Sequence, residues 1–327
     1  MSFFHRRGSS GADDGPNAAD SRPAPPSLPP VDPAVAAAEV QAAIAALEQG
    51  GIPPKAQARL AELRQGNQTL FTSDLSVAEF ALLARVGLRP VSQVMGSSVY
   101  HVGWQGMPGS YFGVGRGAYE LTMLSDAWNQ ARGLALSRLQ QEALHAGADA
   151  VVGVRITWGA HDFAPNSVEM VAVGTAVRTG SAEPSPSPVL TDLSGQEVYN
   201  LLSAGFRPVG VVGATTVFYV VPQWATQNLT SGWGSWSANA ELPDFTQALY
   251  TAREVAFGHL GEQARRLGAH GVVGVSIRQD VHTREIDQNG SKRIDLIVQL
   301  HVLGTAIIET SGAAGALPVK TNLDLSV

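Results

Sequence analysis

Between residues 121 and 139, apolar side chains recur every three or four positions: Leu121, Leu124, Trp128, Ala131, Ala135 and Leu139. That spacing lines one face of a helix of about 27 residues. Leu242, Phe245, Leu249, Ala252, Ala256 and Leu260 repeat it further on. Alanines four apart in both stretches let a backbone approach closely, so each helix is expected to lie flat on a sheet. Gly147 and Gly268 stand where a left-handed cap is wanted. Ala150 to Thr157 is then nearly continuously apolar, the pattern of a strand covered on both faces, and Val168 to Thr179 returns beside it. Upstream, Leu75, Phe80, Leu83 and Val86 mark a short one-sided helix that Gly87 stops. A strand over 89–103 follows, with its counterpart over 207–221.

These elements come from an internal repeat. Leu75-Ser76 through Arg89-Pro90-Val91 aligns with Leu193-Ser194 through Arg207-Pro208-Val209 at an offset of 118. After a variable stretch the match resumes at 121, where 15 of 37 positions from Glu120 to Ile156 are identical, too many for chance to hold in one register. Gly174-Thr175-Ala176 then matches Gly304-Thr305-Ala306 at 130, so the second copy's final hairpin is nine residues longer (130 minus 121). Asn289-Gly290 marks its turn.

The pattern divides the chain into a Pro/Ser/Ala-rich disordered tail (1–34), a helical hairpin (35–70), copy one (71–180), a Pro/Ser linker (181–190), copy two (191–310) and a C-terminal tail (311–327). In the hairpin, Val40, Ile44 and Leu47 form the first helix's apolar stripe, and Leu60 and Leu63 lie on the second. The fold class is α+β: two tandem units, each a long helix on a three-stranded antiparallel sheet. Three strands leave two open edges, so the copies are expected to pair within the chain, between chains, or both. A small homo-oligomer follows from that.

Composition removes several function classes. Of 327 residues 15% are charged, and the formal net charge is −6, which opposes a nucleic-acid partner. No cysteine is present, so disulfides, thiolate metal sites and cysteine nucleophiles are excluded. No apolar run approaches a membrane span and no secretory h-region follows the basic start, so a cytoplasmic location is expected.

Gly115-Arg116-Gly117-Ala118-Tyr119-Glu120, Gly147-Ala148-Asp149-Ala150-Val151-Val152-Gly153-Val154 and Gly174-Thr175-Ala176-Val177 together resemble the YbjQ-like family, whose members carry a heavy-metal-binding description. Copy two resembles it through Ala252-Arg253-Glu254-Val255-Ala256-Phe257, Gly268-Ala269-His270-Gly271-Val272-Val273-Gly274-Val275 and Gly304-Thr305-Ala306. It departs at His270-Gly271, where copy one has Asp149-Ala150. The resemblance implies a dodecin-like β-α-β-β unit assembling into small, pentameric rings. It implies no established activity.

Candidate chemistry is sparse. Asp280 and His282 share one face of a strand and His301 lies on the returning strand. A turn at 289–290 sets His282 opposite 297 and His301 opposite 278, about 13 Å apart along the strand. Two ligands of one ion cannot be that far apart, so no metal and no other cofactor is expected. Arg132 and its counterpart Arg253 sit mid-helix, where a structural ion pair is the expected role. No nucleophile elbow, zinc-protease helix or phosphate loop is present, so catalysis is not expected. The residues best placed for contact are aromatic: Trp104, Tyr111 and Phe112 in one loop, Trp224, Trp233 and Trp236 in its counterpart. They are candidates for an interface or a ligand site. The expected protein is a non-catalytic oligomeric scaffold, or alternatively a metal-ion or small-molecule binder with a site between the copies.

Overall fold

The structure, a computed structural model, describes residues 32–64, 71–103, 116–161, 164–180, 183–230, 239–288 and 291–310. Contacts divide the chain into residues 1–41 and 42–327. The described part of the first unit is the opening of helix α1 (Pro33–Glu48). Helix α2 (Pro54–Arg64) follows. Copy one contains α3 (Val77–Arg85), β1 (Arg89–His101), β2 (Gly117–Glu120), α4 (Thr122–His145), β3 (Ala150–His161) and β4 (Ala164–Arg178). After β5 (Val189–Leu190), copy two contains α5 (Gly195–Ser203), β6 (Phe206–Val221), α6 (Trp224–Thr230), α7 (Pro243–Arg266), β7 (Gly271–Gln288) and β8 (Ser291–Glu309).

The repeat is visible in small features. Ser76 and Ser194 each cap a helix by accepting the N–H of Glu79 or Glu197 at 3.3 Å, while that glutamate accepts the serine N–H at 2.8 Å. The hydrogen bonds from Ser76 hold the Glu79 carboxyl below its usual range. β3 and β7 bulge at matching glycines, Gly153 (φ 68°) and Gly274 (φ 66°). Gly147 and Gly268 end the long helices at φ 74° and 65°, where the cap reading put them.

The sheets correct the three-stranded expectation. Each has four strands, in the orders β1-β4-β3-β5 and β2-β6-β8-β7. In each, three long antiparallel strands belong to one copy and the short fourth comes from the other copy's side of the repeat. β2, from copy one, pairs antiparallel with the edge of β6. β5, in the segment that opens copy two, pairs parallel with β3. An edge strand exposes a row of unmet main-chain groups, and the tandem copies cover one such edge for each other.

The long helix α4 is buried on two sides. One side lies on β1 and β4 of its own sheet. The other faces copy two: Val217, Tyr219 and Val221 of β6 share a core with Leu121, Trp128, Ala131 and Ala135. Ser125 Oγ accepts the Val217 N–H at 3.0 Å, and Asn129 exchanges bonds of 2.9 Å with both main-chain groups of Thr215. Arg132 donates to the Gly213 carbonyl at 2.6 Å. Side chains of α4 thus do for β6 what a neighbouring strand would.

Two apolar faces differ from the sequence reading. Phe80 is 40% exposed and stacks on Phe71, with centroids 5.9 Å apart, instead of joining Leu83 in the core. In α1 no residue is buried, and Val40 and Ile44 are exposed. The hairpin is held instead by Ile52 and Leu60 against Ala146, and by Arg138 of α4 donating to the Leu47 and Gly51 carbonyls.

The closest helix-on-sheet contact is at Gly96 of β1, where an added Cβ would overlap the Ala135 carbonyl oxygen and the Leu139 nitrogen. Gly96→Ala should therefore lower stability by about 3 kcal/mol through overpacking, read as a fall in the denaturant midpoint.

Candidate functional site

The two copies enclose a cavity of about 380 Å³. Copy one contributes Arg132, Arg155 and Trp158 to its lining, and copy two contributes Thr215, Arg278 and His301. Arg132 stands there because the repeat of Ala131 and Ala135 turns one face of α4 to its own sheet and leaves the adjoining face for copy two. His301 reaches it from β8, where the register pairs it with Thr215 of β6 and Arg278 of β7.

His301 sits among aromatic rings. Its centroid is 4.4 Å from that of Trp158 and 4.9 Å from that of Trp128, and the two indoles meet edge-on at 6.4 Å. The Arg278 guanidinium lies 5.3 Å over the Trp158 ring. Only 7% of His301 is exposed. Burial, reinforced by the nearby Arg132 and Arg278 charges and opposed by Asp280, lowers its pKa to about 4. The imidazole is neutral at pH 7.

Arg132 can only donate, and its Nη1 donates to Thr215 Oγ1 at 3.1 Å. The same hydroxyl shares a hydrogen bond with His301 Nδ1, 3.0 Å away. The other ring nitrogen, Nε2, is 3.8 Å from the Asp280 carboxylate, beyond hydrogen-bond range, and has no partner among the described residues. Trp128 Nε1 is likewise buried without an acceptor there.

Arg132 is the other unusual group. The expected ion pair is not what the structure holds: Arg132 bonds to Thr215, Asn129 and the Gly213 carbonyl, all neutral. Burial lowers its pKa to about 10, which leaves it charged at pH 7. Asp192 also lines the cavity and Arg155 is paired with Asp74, but the buried Arg132 cation, the Arg278 guanidinium and an unpartnered imidazole nitrogen leave it suited to a small ligand rich in acceptors, such as a carboxylate or phosphate. Thr215 is committed to two hydrogen bonds and His301 is neutral, so the cluster has the form of a binding site.

A heavy-metal ion does not fit this donor set. The chain has no thiolate, and a soft cation would meet the Arg132 and Arg278 guanidiniums, with Asp192 as the carboxylate in the lining. Among the described residues no three His, Asp or Glu side chains converge. His282 pairs with Ile297 and His301 with Arg278, so the two histidines stand four positions apart, as the turn arithmetic places them. Asp280 approaches His301; His282 does not.

Of the aromatic candidates, Trp224 opens α6, is 66% exposed, and carries the Arg116 guanidinium 3.6 Å over its ring. Trp104, Tyr111, Phe112, Trp233 and Trp236 lie outside the described residues. Sequence reasoning missed Trp128, Trp158 and Arg278. One signal was available. Where the copies align, Trp128 faces Leu249, Trp158 faces Gln279 and His301 faces Val171, so the cavity gathers positions at which the copies disagree.

Comparison with known proteins agrees with this architecture. The profile of the YbjQ family, described as "Putative heavy-metal-binding", matches residues 113–180 and 209–310, one segment in each copy. The Encapsulin nanocompartment protein Rv1762c of Mycobacterium tuberculosis is 36% identical over 282 residues, covering 83% of this chain and 97% of that protein. The UPF0145 protein TTHA1944 of Thermus thermophilus is 39% identical over 71 residues, 22% of this chain and 61% of that protein. The chain belongs to the YbjQ family and carries two copies of its domain. Among its described residues no helix is long and apolar enough to cross a membrane.

The His301 pKa sets a pH dependence. Because the folded value lies below the unfolded one (about 6.5), the unfolded chain binds the extra proton between them. The stability contributed by neutral His301 is complete above pH 6.5 and is lost as pH falls towards 4, on the order of 3 kcal/mol in all. His301→Gln should remove about one proton's worth of slope from the wild-type stability curve across that interval, measured by chemical denaturation at stepped pH.

Proposed function

We propose that this protein is a non-catalytic, self-associating scaffold that works as a component of a protein nanocompartment in the cytoplasm. The observation that carries the reading is the relative named as an encapsulin nanocompartment protein, aligned over 97% of its length and across both copies. The fold suits the role, because strand exchange through β2 and β5 and the double burial of α4 bind the copies into one rigid block. The surface chemistry suits protein partners better than nucleic acid, given the net charge of −6. Co-expression with the shell-forming encapsulin of its source organism, followed by velocity sedimentation, tests it. The chain should co-sediment with intact shells and stay with them through a high-salt wash. Chain left at the top of the gradient beside assembled shells overturns the reading.

A second reading is favoured by the orphaned His301 Nε2 and the buried Arg132: the cavity between the copies holds a small anionic ligand and no resident metal. Small carboxylates and phosphates should raise the melting temperature and change the fluorescence of Trp128 and Trp158. His301→Phe should weaken the response about tenfold or more, consistent with loss of one charge-assisted or buried hydrogen bond. A panel of such anions producing no shift in melting temperature or fluorescence would sink this second reading.

A further inference from the structure

The contact that copy one makes with copy two uses surfaces whose counterparts are free on the opposite copies. On the helix side, Ser125, Asn129 and Arg132 of α4 bind the β6 main chain. At the 121 offset their counterparts on α7 are Thr246, Tyr250 and Arg253. Tyr250 is 57% exposed, and the three line an open groove of about 380 Å³ together with Ile277 and Leu300. Ile277 and Leu300 correspond to Ile156 and Met170, which line the cavity between the copies. The groove is one half of that cavity without its other wall.

The matching wall is exposed on copy one, although its Ser97 carbonyl accepts from Arg138 and its Met95 N–H donates to Glu142. In β6, Gly213, Thr215 and Val217 are buried under α4. Their counterparts in β1, Met95, Ser97 and Val99, face outward, with Met95 50% and Val99 59% exposed. The strand edges repeat the relation. In copy one, Gly153 and Val154 donate to the carbonyls of Leu193 and Thr191, and Val154 is 2% exposed. In copy two the corresponding edge at Gly271–Val275 pairs with no strand on its outer side among the described residues, and Val275 and Ile277 are 38% and 50% exposed. The counterpart of the 189–193 segment is Phe71–Leu75, which among the described residues pairs with no strand, and Phe71 is 45% exposed. Val198 of α5 is buried at 2% against copy one, while its counterpart Phe80 is 40% exposed.

We infer that a second copy of this chain docks head to tail, laying its β1 outer face and Phe71–Leu75 segment against α7 and the β7 edge of the first. The occupant follows from continuity with a contact the chain already makes, because each free surface is the repeat partner of one buried inside it. The repetition is not perfect. Gly195 of α5 sits where a Cβ would come 2.8 Å from the Glu79 Cβ, and its counterpart is Val77. The helix pair between chains must therefore stand further apart than α3 and α5 do, while the strand and α7 contacts are unaffected.

Such an interface is heterologous, so each added chain presents a fresh α7 and β7 edge. A ring built this way holds an even number of domain copies, which excludes a ring of five copies and leaves open a ring of five chains.

This inference rests on the self-association reading, and the experiment separates the two. Mass is measured by light scattering on the full chain over a micromolar concentration series, for wild type, Val99→Arg and Tyr250→Arg, whose like charges cannot pair with each other. Both positions are exposed in the single chain, so melting temperature should be unchanged and reports on folding. Wild type should be oligomeric and each variant alone monomeric. An equimolar mixture of the variants should stop at two chains, because one intact α7 then meets one intact β1 face. An oligomer that survives both variants, or a mixture that stays monomeric, overturns the head-to-tail contact but leaves self-association standing. A monomeric wild type overturns both.

Discussion

Main-chain groups on the edge of β6 at residues 213, 215 and 217 point away from β8 and lie in the protein interior, where an unmet donor or acceptor costs about 1–3 kcal/mol. A strand would meet them, but β2 reaches only residues 218–221. Ser125, Asn129 and Arg132 of α4 meet most of them instead, with the Leu121 N–H on the Val217 carbonyl and Gln263 of α7 on both main-chain groups of Gly213. This one requirement fixes the angle at which α4 crosses copy two, brings Trp128 beside His301, and encloses the cavity. It also binds the copies together more firmly than a linker could.

Arg132 shows what the arrangement costs. A buried guanidinium without a carboxylate partner is expensive. Here neutral dipoles stabilise it, and the Thr215 hydroxyl links it to His301 Nδ1. Burial, reinforced by positive charge from Arg132 and Arg278, keeps His301 neutral. The cavity is thus electrostatically biased towards acceptors and against cations, which sets this chain apart from the heavy-metal description attached to its family. The longer copy-two hairpin has its own buried anchor, Arg293 paired with Asp295 at 2.6 and 2.8 Å, with Tyr219 donating to the same carboxylate at 2.6 Å. Burial and that carboxylate raise the Tyr219 pKa to about 12, so the phenol stays a donor.

Much of the fold was readable because it is local. Helix faces such as Ala131, Ala135 and Leu139, the glycine caps, and the register through Asn289-Gly290 follow from spacing along the chain. The failures share a cause. Phe80 satisfies a helical period yet is exposed, because among the described residues the surface that covers Val198 in copy two has no equivalent beside copy one. β2 and β5 are too short to carry a periodicity, and they are strands only because another copy's edge lies beside them. Arg132 suggested an ion pair, since mid-helix arginines commonly find carboxylates on their own helix; its partners lie 81 and 83 positions away on β6.

The amino-acid sequence by itself determined that this chain is one α+β unit written twice, with helix faces and glycine caps in matching places. It did so because each of those features depends on neighbours a few residues apart. Only the tertiary structure decided which edges the copies cover for each other, which side of α4 faces inward twice, and that His301, Trp158 and Arg132 share a cavity. Those outcomes depend on how two similar surfaces meet in space, and residues more than eighty positions apart leave no periodic trace of it in the chain.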